Sequence, residues 1–166
     1  MKRIFLILVI TGFLLIGLSE IHAQTIEPKL NQVELFKQFI GDWQAQWADT
    51  ILYWNAKPFG SGLEAYYNYK IAGKDKIILE GRQLWGYDSR LDKYVVATLE
   101  TSKDIWLLAF WFTSKNKYLM TSLTDVSNPD KAFFKVEGEI KSADTFTETW
   151  IMNDKVVVKY DYKRIK

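Results

Sequence analysis

From residue 42 to the end of the chain, short strand-like runs alternate with small clusters of turn-forming residues. The runs are Trp43–Trp47, Gly62–Ile71, Lys76–Tyr87, Tyr94–Thr101, Ile105–Thr113, Tyr118–Val126, Phe133–Lys141, Thr145–Met152 and Lys155–Ile165. Strands that recur about every 8–12 residues and are joined by short turns are typical of antiparallel neighbours. About nine or ten such strands can close into a barrel, which has no open edge. The sequence therefore predicts an all-β fold, an antiparallel meander β-barrel.

The alternation of residues within the runs agrees with this architecture. Val156, Val158, Tyr160 and Tyr162 share one face of the last run, and charged residues occupy the other face. The run Ile105–Phe112 differs because both of its faces are apolar, so its outer face requires a cover. We expect the N-terminal helix to supply that cover. The alternative is a partner, such as a second copy of the chain in a homodimer.

One short helix is predicted ahead of the strands, over residues 31–40. Apolar residues recur there at helical spacing, and they are Leu30, Val33, Leu35 or Phe36, Phe39 and Ile40. Gly41 follows directly, and a glycine commonly lies just beyond the end of a helix.

The first 23 residues have the pattern of a secretory signal peptide. Lys2 and Arg3 precede an apolar run, Ile4–Leu18, and the small residue Ala23 marks a cleavage site. The alternative, an uncleaved membrane anchor, requires roughly 20 apolar residues, whereas this run has about 15. We therefore expect cleavage after Ala23 and a mature chain, residues 24–166, that folds as one domain in the periplasm or outside the cell.

Composition excludes several kinds of functional site. The chain has no cysteine and one histidine, His22, which lies inside the predicted signal peptide. The mature protein would then have no imidazole or thiol for a catalytic triad, a zinc site or a haem ligand. We therefore expect no metal and no cofactor. The formal net charge of +2 argues against a nucleic-acid binder, which usually carries a basic face.

Three motifs in order along the chain resemble a known family of secreted proteins. They are Gly41-Asp42-Trp43 at the first strand, Trp85-Gly86-Tyr87-Asp88 followed by Lys93-Tyr94-Val95, and Tyr160-x-Tyr162-x-Arg164 at the C-terminus. The first and last motifs resemble those of lipocalin-like (calycin) barrels. The middle motif looks like a bacterial family known as domain of unknown function 1579. The resemblance covers the chain from about Leu30 to its end.

The resemblance implies structural roles for six residues. In calycins a late basic residue packs on the first tryptophan and closes the barrel base, which here would place Arg164 over Trp43. Gly41 belongs to the same motif. Gly86, Tyr87 and Asp88 are expected to form a turn, with Asp88 accepting backbone N–H bonds just downstream. Haem-binding barrels of the nitrobindin type hold iron through a histidine that the mature chain lacks, so haem is not expected.

Charged residues in the middle of apolar strands are the candidates for a ligand site. Glu148 shares a face with apolar and aromatic residues, and Glu80 and Arg82 share a face with Ile78 and Leu84. If these faces point inward, the charges require partners, and a glutamate paired with Arg82 would line a cavity. If they point outward, the residues are ordinary solvated side chains. We expect the inward arrangement, with cavity walls supplied by Tyr67, Trp85 and Trp150 and with Arg82 as an anchor for a carboxylate or carbonyl.

Three functions are compatible with these features. The leading hypothesis is an exported barrel that binds one small apolar or amphipathic molecule. The second is an interaction or scaffold protein whose barrel is filled by its aromatic side chains. The third is a hydrolase that works without histidine or cysteine, which would need two acids across a cleft.

Overall fold

The computed structural model describes residues 29–74, 76–102 and 104–165, and the expected signal peptide lies outside the described residues. Each of ten strands pairs antiparallel with the next, and the last pairs with the first, so the sheet closes into a barrel. This confirms the predicted all-β antiparallel meander barrel. The strands are β1 Gly41–Trp47, β2 Thr50–Phe59, β3 Gly62–Ile71, β4 Ile77–Asp88, β5 Lys93–Glu100, β6 Ile105–Phe112, β7 Lys117–Ser122, β8 Phe134–Ser142, β9 Thr145–Met152 and β10 Lys155–Arg164.

Strand β2 was not among the predicted runs, although its inward residues alternate regularly. Leu52 and Ala56 are buried, and Trp54 between them is half-buried. The two-residue turn before β2 contains no glycine, and Ala48 adopts a left-handed φ of 53° there. Because glycine is the usual residue at such φ values, the turn carries a weak sequence signal.

Strand β7 is shorter than predicted. It ends at Ser122, and Leu123–Asp125 form a short 3-10 helix instead of continuing the strand to Val126. A second 3-10 turn, Pro129–Lys131, follows before β8. Proline at the start of that turn has the φ that a helical turn requires.

The predicted helix closes one end of the barrel. Helix α1, Gln32–Phe36, continues as a 3-10 turn, Lys37–Phe39, and the Asn31 side chain caps it by accepting the N–H of Glu34 at 3.1 Å. Phe36 enters the barrel, where its ring stacks on Tyr94 with centroids 3.8 Å apart. The helix therefore lies at the end where β1 begins and β10 ends.

The expectation that this helix covers the outer face of β6 is wrong. Gln32 reaches the backbone of Phe112 at the end of β6, with one bond to the N–H and one to the carbonyl. The outward residues at the other end of the strand have no such cover, because Ile105 is 70% exposed and Leu107 is 52% exposed. The helix is drawn to the barrel end instead, where its two phenylalanines are buried among other rings.

Candidate ligand cavity

A cation–π contact and several hydrogen bonds stabilise the end of the barrel that the helix closes. The Arg164 Cζ lies 4.1 Å from the centre of the Trp43 ring, so the contact predicted from the sequence is present. Arg164 Nη1 donates to the Ile40 carbonyl at 2.7 Å, and Trp43 Nε1 donates to the Phe39 carbonyl at 2.9 Å. A Cβ at Gly41 would overlap Arg164, and Gly41 has a φ of 136° that favours glycine. This end of the barrel is therefore sealed.

The Gly86-Tyr87-Asp88 motif is only partly a turn. Gly86 and Tyr87 continue β4, and no described residue would contact a Cβ at Gly86, so the expected turn role of these two residues is wrong. Asp88 accepts the backbone N–H groups of Arg90 at 2.9 Å and Leu91 at 3.4 Å, as expected. A hydrogen bond from the Arg90 side chain, together with these backbone bonds, lowers the pKa of Asp88 to about 2. Asp88 thus stabilises the turn that follows β4.

Between the sealed end and the opposite end, the barrel encloses a cavity of about 350 Å³. Its walls are mostly aromatic, and they include Trp54, Trp85, Trp106, Phe110, Phe146 and Trp150. Trp106 is the second residue of β6 and Phe134 is the first of β8, both at the end away from the helix, and Trp106 is 40% exposed. Solvent therefore reaches the cavity from that end.

Glu148 lies deep in the barrel and lines this cavity. Its Oε1 accepts the hydroxyl of Tyr118 at 3.1 Å, and its Oε2 accepts Trp150 Nε1 at 3.1 Å and the Tyr162 hydroxyl at 3.2 Å. Burial raises the pKa of Glu148, and the three donors oppose that rise. Among the described residues, all the hydrogen-bond donors to Glu148 are neutral groups. The expected inward position of Glu148 is therefore observed, without the expected arginine partner.

A second carboxylate lines the cavity at its open end. Glu100 is the last residue of β5, and it accepts the hydroxyl of Tyr67 at 2.5 Å and that of Ser102 at 3.2 Å. Burial raises the pKa of Tyr67, and the hydrogen bond to Glu100 raises it further. The Tyr67 hydroxyl therefore keeps its proton and remains a hydrogen-bond donor. Glu100 was not among the predicted site residues because it stands at a strand end, where a solvated acid is the ordinary interpretation.

The two carboxylates are positioned in the same way. In the strand register, Tyr67 faces Gly81 and Gly81 faces Glu100; likewise, Tyr118 faces Gly138 and Gly138 faces Glu148. In each row the tyrosine lies across the glycine, and a Cβ on that glycine would overlap the tyrosine side chain. We call these the two Tyr–Gly–Glu rows. A glycine inside a strand signals such a close approach, and it was the available sequence clue.

Gln83 is the third polar group of the wall. Its Oε1 accepts the indole N–H groups of Trp54 at 3.0 Å and Trp85 at 3.3 Å, and its Nε2 donates to Thr98 at 3.3 Å. The amide therefore holds two tryptophans in fixed orientations at the cavity surface. The candidates Tyr67, Trp85 and Trp150 all line the cavity.

The expected inward position of Arg82 is wrong. Arg82 lies on the outer face of β4 with the exposed residues Ile78 and Leu84, and its Cζ is 5.7 Å from the centre of the Tyr66 ring. Glu80, on the same face, accepts the Tyr66 hydroxyl. Both faces of β4 carry apolar residues, so alternation alone did not decide which face is inside. Within the described part of the chain, no lysine or arginine lines the cavity.

Comparison with known proteins adds no assignment: no family model and no curated protein matches the chain. Among the described residues, no helix has the length and hydrophobicity to cross a membrane. The same part of the chain holds no group of three or more acidic or histidine side chains arranged for a metal ion. The resemblance to calycin barrels and to domain of unknown function 1579 stays a prediction.

Proposed function

We propose that this chain is an exported, calycin-like binding protein that holds one small, largely apolar molecule in its barrel. The observation that carries the proposal is the cavity of about 350 Å³, which is open at one end and walled by aromatic rings. Pockets for small molecules occupy roughly 300–1,000 Å³ and combine apolar walls with a few fixed polar groups. Gln83, Glu100 and Glu148 supply such groups here.

The retained volume favours binding over a filled barrel. The described residues include large aromatic side chains on most strands, and several of them pack against one another at the sealed end. The interior toward the open end of the barrel is nevertheless not filled, although protein interiors normally pack to high density. A space of this size, with hydrogen-bonded tryptophans in its wall, is suited to a guest molecule.

Filling the cavity tests the proposal. We expect wild-type protein to bind N-phenylnaphthylamine, a neutral apolar dye, with enhanced dye fluorescence. Met120→Trp places a large ring in the cavity wall and should weaken binding at least about tenfold, because the added ring occupies the space of the guest. Fluorescence titration measures the dissociation constant.

Leu119→Trp is the matched control, since Leu119 is the neighbouring residue of β7 with its side chain outside the barrel. We expect it to bind the dye like the wild type. A wild-type protein that fails to bind the dye, or equal affinities in the two variants, would contradict the proposal.

A second candidate function is association with a second copy of the chain. The outward residues Leu84, Leu99, Ile105 and Leu107 lie on three adjacent strands, and each is more than half exposed. Arg82 lies beside them and Glu80 precedes it on the same face. In a two-fold symmetric dimer the same surface patch of both copies is in contact. Arg82 of one copy can therefore meet Glu80 of the other.

Sedimentation velocity distinguishes the two states. We expect the wild type to sediment as a dimer at micromolar concentration, and Leu107→Lys to sediment as a monomer because it places a charge in the apolar contact. Lys155→Leu, on the exposed start of β10, is a control that should leave the dimer intact. A wild type that remains monomeric at high concentration would rule this association out.

A further inference from the structure

Two carboxylates line one cavity, whose described lining has no lysine or arginine, and this constrains the chemistry of the guest. Glu148 and Glu100 both line the cavity, and they stand on β9 and β5, four strands apart in a ten-stranded barrel. They therefore face the cavity from different walls. In the described part of the chain, the cavity lining has no lysine or arginine that would balance either charge.

The hydrogen bonds of Glu148 leave room for one more donor. A carboxylate has about four acceptor positions, two on each oxygen. Oε2 receives two bonds, from Trp150 and Tyr162, whereas Oε1 receives one, from Tyr118, among the described residues. The remaining position on Oε1 belongs to a group that lines the cavity, so a donor on a guest can use it.

The surroundings of Glu148 favour a charged donor over a neutral one. Burial disfavours the ionised form of Glu148, and a cation in contact with the carboxylate compensates its charge more directly than a neutral donor does. The rings of Trp54 and Trp150 line the cavity, and the face of a tryptophan ring attracts cations rather than anions. Glu100 at the open end adds negative potential along the entry route.

The two Tyr–Gly–Glu rows hold these carboxylates in place before a guest arrives. Tyr118 is buried, and burial together with the neighbouring Glu148 carboxylate raises its pKa well above the usual value, so its hydroxyl stays a donor. The rigid donor fixes the position of Oε1. A preorganised acceptor of this kind reduces the entropy that binding would otherwise cost.

We infer that the guest is a cationic amphiphile, an organic ammonium group joined to an apolar chain or ring, with its ammonium group on Glu148. This inference rests on the proposed function of the cavity and specifies the class of molecule it takes. An anionic amphiphile such as a fatty acid is disfavoured, because its carboxylate would enter a cavity whose described lining includes Glu100 and Glu148 but no lysine or arginine.

Three ligands that share one alkyl chain provide the test: decylamine, decanol and decanoate, each competing with N-phenylnaphthylamine. We expect the wild type to bind decylamine at least roughly tenfold more tightly than decanol, and decanoate more weakly than decanol. In Glu148→Gln the preference for the amine over the alcohol should fall to about twofold or less. In Glu100→Gln a smaller reduction is expected, since this residue lies at the mouth.

Glu80→Gln is the matched control. Glu80 also accepts a tyrosine hydroxyl, but it lies on the outer face of the barrel. This variant should keep the full preference for decylamine. All variants are first titrated with the neutral dye, which verifies that each one folds and retains the cavity.

The outcomes separate the two proposals. If the dye does not bind the wild type, the proposed function fails and this inference fails with it. If the dye binds but the wild type does not prefer the amine, or if Glu148→Gln keeps the preference, the binding function stands and the cationic guest is overturned.

Discussion

Substitution of Phe39 by alanine is expected to lower the free energy of unfolding by about 3–5 kcal/mol, the range for replacing a buried phenylalanine by alanine. Phe39 is 4% exposed and forms the floor of the cavity. Its ring makes edge contacts with four neighbours whose centroids lie 5.2–6.1 Å away, namely Trp54, Phe110, Tyr118 and Phe146. Loss of the ring removes these contacts and joins the cavity to the sealed end of the barrel.

Urea unfolding followed by tryptophan fluorescence measures this change. Phe133→Ala is the matched control, since Phe133 is 63% exposed and should change the free energy of unfolding by no more than about 0.5 kcal/mol. Similar small effects in both variants would show that the helix does not plug the barrel as described. A Phe39→Leu variant, expected to lose about half as much, keeps the comparison possible if the alanine variant does not fold.

Substitution of Gly138 by alanine is expected to be nearly as costly, at about 3–4 kcal/mol. A Cβ at this position would overlap the ring of Tyr118, which is 3% exposed and has little room to move. Forcing a side chain into a packed interior costs about 1–3 kcal/mol. Displacing Tyr118 also removes its hydrogen bond to the Glu148 side chain. A hydrogen bond to a charged acceptor contributes about 1.5–3 kcal/mol to stability.

Gly86→Ala is the control for this prediction, because Gly86 also lies inside a strand but has no side chain packed across it among the described residues. A Cβ at Gly86 would meet none of the described residues within 4 Å, so alanine there should leave the free energy of unfolding unchanged or raise it slightly by restricting the unfolded chain. Urea unfolding of both variants gives the comparison. Equal stability of Gly138→Ala and Gly86→Ala would mean that Tyr118 does not lie across Gly138.

Several features of the site followed from local sequence patterns. The inward side of β9 was predicted because Glu148 alternates with Phe146 and Trp150, all of which line the cavity. The position of Arg164 over Trp43 followed from a family resemblance, and the backbone bonds of Asp88 followed from its place before a turn. Each of these depends on residues that are close in sequence or on a recognised motif.

Other features depend on which strands are neighbours. Arg82 was expected inside because its face of β4 also carries Ile78 and Leu84, yet these two are 49% and 53% exposed. Both faces of β4 carry apolar residues, and only pairing with β3 and β5 decides which face points inward. The Glu100 row was missed for the same reason, since its three residues come from three strands.

The sequence by itself determined the class of fold: short strand-like runs and polar turns fix antiparallel neighbours, because a tight turn leaves the next strand no other place to pair. It also determined that histidine and thiol chemistry would be absent from a chain cleaved after Ala23. Only the tertiary structure decided the register that aligns each tyrosine, glycine and glutamate across three strands. It alone decided that the helix enters the barrel end, and that the aromatic side chains leave a cavity. These properties depend on contacts between residues that are far apart in sequence, whereas periodicity and turn chemistry involve residues that are close together.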